Sequence, residues 1–529
     1  MCGISGYILE GYDYSKNDKI LENIKHRGPD SNNNIKFKYQ NFNISLSFFR
    51  LAIIDIQNGI QPFIYEKENR KVYLLCNGEI YNYKKIIEEY EFDTKSDCHV
   101  ILDLYLKFGI METLKVLDGE FAFVLLDLCD DDFTIYFCRD RFGIRPLFYN
   151  LDENGFCFAS ELKGLVSKKG KQVEPRKIHK LNMISKNIVS IDYYNIERKY
   201  YDFDINLNMH NLIKGSLITS VKDRLNSERP IGCLLSGGLD SSLISGIASK
   251  LLKEEKKKLH TFSIGMDKDS PDIEYARKVA KFIDSIHHEV IIPVEEWIKS
   301  LPNVIKQIET YDITTIRATT GQYLLAKWIS ENTDIKVLLN GDGSDEICAG
   351  YIYFYNAPDA VSSHNENIRL LNEIHKYDVL RVDRGISAFG LEARVPFLAH
   401  YFVDLYLSID KTFRNPIKNV RMEKDLLRKS FINENIIPEE VLLRKKEAFS
   451  DGVSSHKKSW FEYIQDYVDT QVSNEEFEKY KNIFPSKEAY WYKKIFDEEY
   501  ANSGIKFEYW MPKWCSIKNE PSARVLKEY

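Results

Sequence analysis

Five residues, Ile231-Gly232-Cys233-Leu234-Leu235, run without a break into Ser236-Gly237-Gly238-Leu239-Asp240-Ser241 and then into a helical stretch. Few folds accommodate that order. An unbroken apolar strand suits a parallel sheet covered by helices on both faces. Two glycines let the backbone curl so that successive N–H groups point into one concavity, and the following helix N-terminus adds partial positive charge. Such a loop binds pyrophosphate. It is not a Walker A loop, because the Gly-Lys-Ser/Thr ending is absent.

The surroundings agree. From about residue 205, strand-like runs (Leu259–Ile264, Lys336–Leu339) alternate with amphipathic segments (Leu239–Leu252, Ile273–Phe282, Gln322–Ser330), and beyond about 400 the chain reads as mainly helical. The expectation for 205–529 is an α/β domain on a parallel sheet with a helical C-terminal part. Residues 2–190 have another texture. Short β-branched and aromatic runs (Asn43–Phe48, Ile53–Ile56, Val72–Cys76, Ala122–Asp127, Thr134–Cys138) are divided by turn clusters, among them Asn77-Gly78 and Asp130–Asp132. Helices are expected around Tyr83–Tyr90 and Asp97–Phe108. This predicts an α+β domain of stacked antiparallel sheets with outer helices. The polar stretch 191–204 reads as a linker.

Bulk properties exclude several classes. A net charge of −6 carries no field suited to nucleic acid. No stretch approaches the ~18–20 apolar residues of a membrane span, and the N-terminus lacks the features of a signal peptide. The nine cysteines form neither a CxxC pair nor a cluster, which argues against disulfides or structural zinc and for a reducing, cytoplasmic setting.

Cys2 follows the initiator Met. Removing Met1 would place a free α-amine, with a pKa of ~7.7–8, beside the thiol, so that nucleophile and base would share one residue. Further along lie His26-Arg27-Gly28-Pro29-Asp30, Arg50-Leu51-Ala52-Ile53, Asn77-Gly78-Glu79-Ile80-Tyr81-Asn82, Ser96-Asp97, Arg139–Gly143 and Ala159–Lys163. Singly each is weak: Asn77-Gly78 is a generic turn, and Ser96 or Asp97 a plausible helix cap. In this order, over about residues 2–165, they resemble the glutamine amidotransferase domain of the N-terminal-nucleophile hydrolase class. The resemblance implies that Cys2 attacks the glutamine amide. It makes Asn77 and Gly78 the oxyanion hole, Arg50 the holder of the α-carboxylate, and Glu79 and Asp97 the holders of the α-amine. Leu51, Ala52, Ile53 and Ile54 would complete the glutamine site. His99 stands where that class often has Glu, and a small effect is expected.

The second half resembles the PP-loop ATP pyrophosphatases. The segments Glu309–Ala318, Gly390–Leu398, Arg444–Val453, Tyr509–Trp514 and Pro521-Ser522-Ala523-Arg524 extend this to a resemblance to the asparagine synthetase family over nearly the whole chain. It implies an ATP site of Leu235, Ser236, Gly237, Gly238, Asp240, Ser241, Ile264, Asn340 and Gly341. Mg²⁺ would sit on Asp240 and Asp345. Thr314, Thr315 and Arg317 would lie on the aspartate and pyrophosphate side, with Asp342 and Lys446 as catalytic groups. Small-molecule substrates (glutamine, aspartate, ATP) and a homodimer follow from the same resemblance. Two positions depart from the family: Asn340-Gly341-Asp342 replaces Ser-Gly-Glu, and Ala399 replaces an Asp. An amidotransferase or cyclase acting on another carboxylate is the alternative. The retained glutaminase elements weigh against a cyclase.

Overall fold

The computed structural model describes residues 1–11, 18–129, 132–167, 169–197, 209–446, 452–454, 458–515 and 520–522. Half of the expected linker (198–204), the turn residues 130–131, residues 447–451 after Lys446, and Ala523 and Arg524 lie outside the described residues.

The N-terminal strand, Gly3–Glu10, is buried along nearly its whole length. Terminal residues rarely sit at the centre of a sheet, but here Gly3 pairs with Phe49 on one side and Ser5 with Ala159 on the other. This strand is the fourth of six in an antiparallel sheet. A second six-stranded antiparallel sheet carries the eleven-residue strands Arg70–Ile80 and Gly119–Cys129, whose register sets Asn77, Gly78 and Glu79 opposite Ala122, Phe121 and Glu120. The sheets share a core in which Ile4, Ile8 and Phe48 of the first meet Leu75, Val124 and Phe137 of the second. The helices Tyr83–Tyr90 and Val100–Phe108 contribute to the core on the second sheet's other side.

The third sheet has five strands, all parallel, in the order Ile286–Ile291, His260–Gly265, Ile231–Leu234, Val337–Leu339, Glu392–Arg394. Its crevice lies at the carboxyl ends of the strands, where open α/β sheets bind ligands. The helix Leu239–Glu254 starts directly after the Ser236–Gly238 turn. Two antiparallel sheets ahead of one parallel sheet with helices is the architecture expected from the sequence.

Four local expectations are corrected. Asn77-Gly78 is not a turn: it lies within the strand Arg70–Ile80, paired with Ala122 and Phe121. Ile53–Ile56 forms no strand; the Arg50 guanidinium collects the carbonyls of Asp55 (2.5 Å) and Ile56 (2.8 Å), which curls the segment into a loop. The helix expected from Asp97 begins at Val100, because the Asp97 carboxylate accepts instead from the Ile80 N–H at 2.9 Å. The helix expected over Gln322–Ser330 begins at Ile313, since Asp312 caps it by accepting from the Thr315 N–H at 2.8 Å.

Buried ion pairs join the two halves. Arg27 meets Glu161 at 2.6 Å and Asp383 at 2.8 Å, while Glu120 meets Arg145 and Arg224, each at 3.0 Å.

Candidate active sites

In the first half, strand ends bring the expected residues together. Cys2 opens the central strand of the first sheet, and its Sγ donates weakly to the Leu51 carbonyl at 3.6 Å. Burial pushes the thiol up to about 12, against the pull of the nearby N-terminus. Leu51, Ala52, Ile53 and Ile54 are all buried, and Asp30 accepts from the Ala52 N–H at 2.9 Å. Asn77 is fully buried, yet among the described residues neither its Nδ2 nor its Oδ1 has a hydrogen-bond partner. An unpaired buried amide costs about 1–3 kcal/mol, so an empty pair of this kind marks a place where a ligand completes the bonding. Gly78 has no room for a side chain, as a Cβ would lie 2.4 Å from the Glu120 carbonyl. Burial raises Glu79 well above the usual carboxylate range, with Glu392 and Asp97 adding to it, and burial lifts Asp97 to about 6.

Met1 is still attached and buried, its amine donating to the Leu391 carbonyl at 3.2 Å. While it remains, the Cys2 nitrogen is a peptide nitrogen and cannot act as a base.

In the second half, one cavity gathers Ser236, Gly238, Asp240 and Ser241 with Asn340, Gly341, Asp342, Asp345 and Lys446. Gly237 turns the loop at φ 73°, and a Cβ there would meet Tyr275 and the Ala276 nitrogen at 2.5 Å. Gly341 lies against the loop, its hypothetical Cβ 2.8 Å from the Ser241 nitrogen. Lys424 Nζ bridges Asp240 (2.5 Å) and Asp345 (2.6 Å), and Lys446 holds the other Asp345 oxygen at 2.6 Å. Burial opposes ionisation of Asp345, but the two ammonium groups prevail and hold it well below the usual range; Asp345 in turn raises Lys446 despite its burial.

Comparison with known proteins fits both halves. A glutamine amidotransferase domain model matches residues 1–204, and an asparagine synthase model matches 212–373 and 359–519. The glutamine-hydrolyzing asparagine synthetases of Homo sapiens and Cricetulus griseus are each 42% identical over 570 residues, covering 100% of this chain and 99% of theirs. That of Gallus gallus is 42% identical with the same coverage. The chain belongs to the asparagine synthetase family.

Within that family frame, Arg317 is a correction. It is absent from the cavity wall; its guanidinium binds Glu488 (2.9 and 2.6 Å) and Glu520 (2.5 and 3.1 Å), tying C-terminal segments together. Its neighbours Thr314 and Thr315 do line the cavity. The Thr315 hydroxyl is committed to Asp312 at 2.7 Å, whereas that of Thr314 is buried and has no partner among the described residues. The shorter Asp342 accepts from Arg381 through its carboxylate, and its backbone N–H donates to Asn340 Oδ1 at 2.7 Å. Ala399 is buried at a helix start and supplies no side-chain cap. His99 pairs with Asp103 at 2.8 Å.

Lys424, Arg381 and Asp378 were invisible to motif reasoning. Met422-Glu423-Lys424 looks like solvated charge, yet Lys424 is 2% exposed. Asp240 and Asp345 converge on Lys424 Nζ; with that ammonium displaced, the same two carboxylates would suit Mg²⁺, a hard cation whose shell phosphate and water would complete. Among the described residues no helix is long and apolar enough to cross a membrane.

Proposed function

We propose that this chain makes L-asparagine from L-aspartate, using ATP and the amide nitrogen of L-glutamine. What supports this is the presence of Cys2 and the buried Asn77 amide in the same chain as the cavity that gathers the glycine loop, Asp345 and Lys446, in a chain aligned along its whole length with members of this family.

Once Met1 is removed, the Cys2 α-amine takes the thiol proton. The sulfur attacks the glutamine amide carbon, and Asn77 Nδ2 with the Gly78 N–H hold the oxyanion. Collapse breaks the C–N bond, releasing ammonia and leaving a glutamyl thioester that water hydrolyses to glutamate. In the second half, the glycine loop and helix N-terminus receive the ATP phosphates. The aspartate side-chain carboxylate attacks the α-phosphorus, diphosphate leaves, and β-aspartyl-AMP forms. Ammonia then attacks the acyl carbon, loses a proton and displaces AMP. Lys446 faces the charge that develops on the phosphoryl and acyl oxygens. Asp240 and Asp345 would hold Mg²⁺ in place of Lys424 Nζ when the phosphates arrive, and the ion would supply positive charge there. Thr314, with its free hydroxyl, lies on the substrate side.

Neutral ammonia is a minor species near pH 7, so joining both sites in one chain limits its loss to solvent. Cys2→Ala should abolish asparagine formation from glutamine and keep formation from added ammonium. Loss of both activities in a folded variant would refute the division of roles. A cytoplasmic homodimer completes the proposal: nine cysteines outside any disulfide support the reducing compartment, and light scattering decides the dimer.

A further inference from the structure

The synthetase cavity has a charged end and an apolar end. The charged end carries Asp240, Asp345 and Lys446. The apolar end is walled by Leu235, Phe262, Ile264, Ala318 and Leu325. The helix Ile313–Asn332 contributes to the wall with residues spaced by four, four and three: Thr314, Ala318, Gln322 and Leu325. That spacing keeps them on one face. Gln322 is the polar residue among the apolar ones. It is 9% exposed, and its buried Oε1 has no hydrogen-bond partner among the described residues. Packing alone gives no reason for an amide here, because an apolar residue of the same length would fill the space without an unpaired oxygen.

We propose that Gln322 reads the base of ATP; this rests on the adenylating reading above. Among the described residues no hydrogen bond fixes the amide, so a half-turn exchanges Oε1 and Nε2 toward the cavity. An amide offers one acceptor beside one donor. Adenine offers the complement along its N6–N7 edge, an amino donor beside a ring acceptor. Hypoxanthine and guanine present O6 beside N7, two acceptors, and leave Oε1 facing an oxygen. Leu235 and Ile264, at the carboxyl ends of neighbouring strands, supply apolar contact to the ring faces. The base is thereby held at the apolar end, with the phosphates reaching the glycine loop.

The test is aspartate-dependent diphosphate release by the full chain, with ammonium as nitrogen source and ATP, ITP or 7-deaza-ATP as nucleotide. Wild type should show kcat/KM about 10- to 100-fold higher with ATP than with ITP, and about tenfold higher than with 7-deaza-ATP. Gln322→Met should raise KM for ATP and bring ATP and 7-deaza-ATP together. Equal use of ATP and 7-deaza-ATP by wild type overturns the proposal without any variant. So does a Met variant that keeps the wild-type ratio. If release does not depend on aspartate, the parent reading fails instead. Calorimetric binding of ATP against 7-deaza-ATP then still decides Gln322: equal affinity refutes the role, and a loss of about tenfold upholds it.

Discussion

Replacing Lys424 by Met leaves two carboxylates facing one another in a buried crevice. The Lys424 side chain is 1% exposed and touches Asp240 at 2.5 Å and Asp345 at 2.6 Å. The two contacted oxygens can therefore be no farther apart than those contacts laid end to end, roughly 5 Å. At an effective dielectric of about 20, two negative charges at that distance repel by about 3 kcal/mol. Removing one partner of a buried ion pair costs about 3–5 kcal/mol, which agrees with that figure. Methionine keeps the length of the side chain, so the loss is electrostatic and leaves little cavity. The same two carboxylates would then be free for a divalent cation. A ligand at 100 times its Kd stabilises the folded state by about 2.7 kcal/mol. Lys424→Met should therefore melt well below wild type in EDTA and recover much of the difference in Mg²⁺, whereas wild type responds weakly. Differential scanning fluorimetry with and without Mg²⁺ measures this. A variant that melts like wild type in EDTA, or gains no more from Mg²⁺ than wild type does, would refute the reasoning.

Other outcomes follow from the same geometry. Asn77→Ala should lower glutaminase kcat by about 100- to 1000-fold while leaving the melting temperature little changed, because the deleted amide makes no bond in the free protein; a rate near wild type would remove Asn77 from the oxyanion hole. Burial raises Asp97 to about 6, above its unfolded value of ~3.9. A raised carboxyl favours the fold below the unfolded value, and that contribution fades as pH rises through about 6. Holding the glutamine ammonium requires the ionised form, so KM for glutamine should climb as pH falls through about 6, and Asp97→Asn should erase that inflection. Arg317→Met should cost about 3–5 kcal/mol of stability in urea titration through the orphaned Glu488 and Glu520, with KM for aspartate unchanged; a selective rise in that KM would return Arg317 to the substrate site.

Much of the architecture was legible because it rests on period and punctuation. The β-branched runs divided by turns announced two antiparallel sheets, and the strand–glycine–helix order at 231–241 announced a parallel one. Loop 53–56 was misread because Ile53 and Ile54 are buried as a strand's residues would be, while Arg50, three residues upstream of Ile53, takes the carbonyls that a neighbouring strand would have taken. The motif residues around the glycine loop gather in one cavity because strand–turn–helix order places them there, Asp240 on the helix after one strand and Asp345 on the short helix after another. The site was illegible where distant chain segments supply charge. Lys424 lies 184 positions from Asp240, and no local pattern links them. Arg317 was misplaced for the converse reason: its motif neighbours Thr314 and Thr315 line the cavity, but the helix turns the arginine toward Glu488.

The most direct test follows labelled atoms through both sites. The Met1-processed enzyme is given ATP, glutamine carrying ¹⁵N in its amide, and aspartate carrying ¹⁸O in its side-chain carboxylate, and the products are weighed by mass spectrometry. The account predicts asparagine bearing ¹⁵N and AMP bearing one ¹⁸O. Unlabelled AMP, or asparagine whose new nitrogen does not come from glutamine, would contradict it.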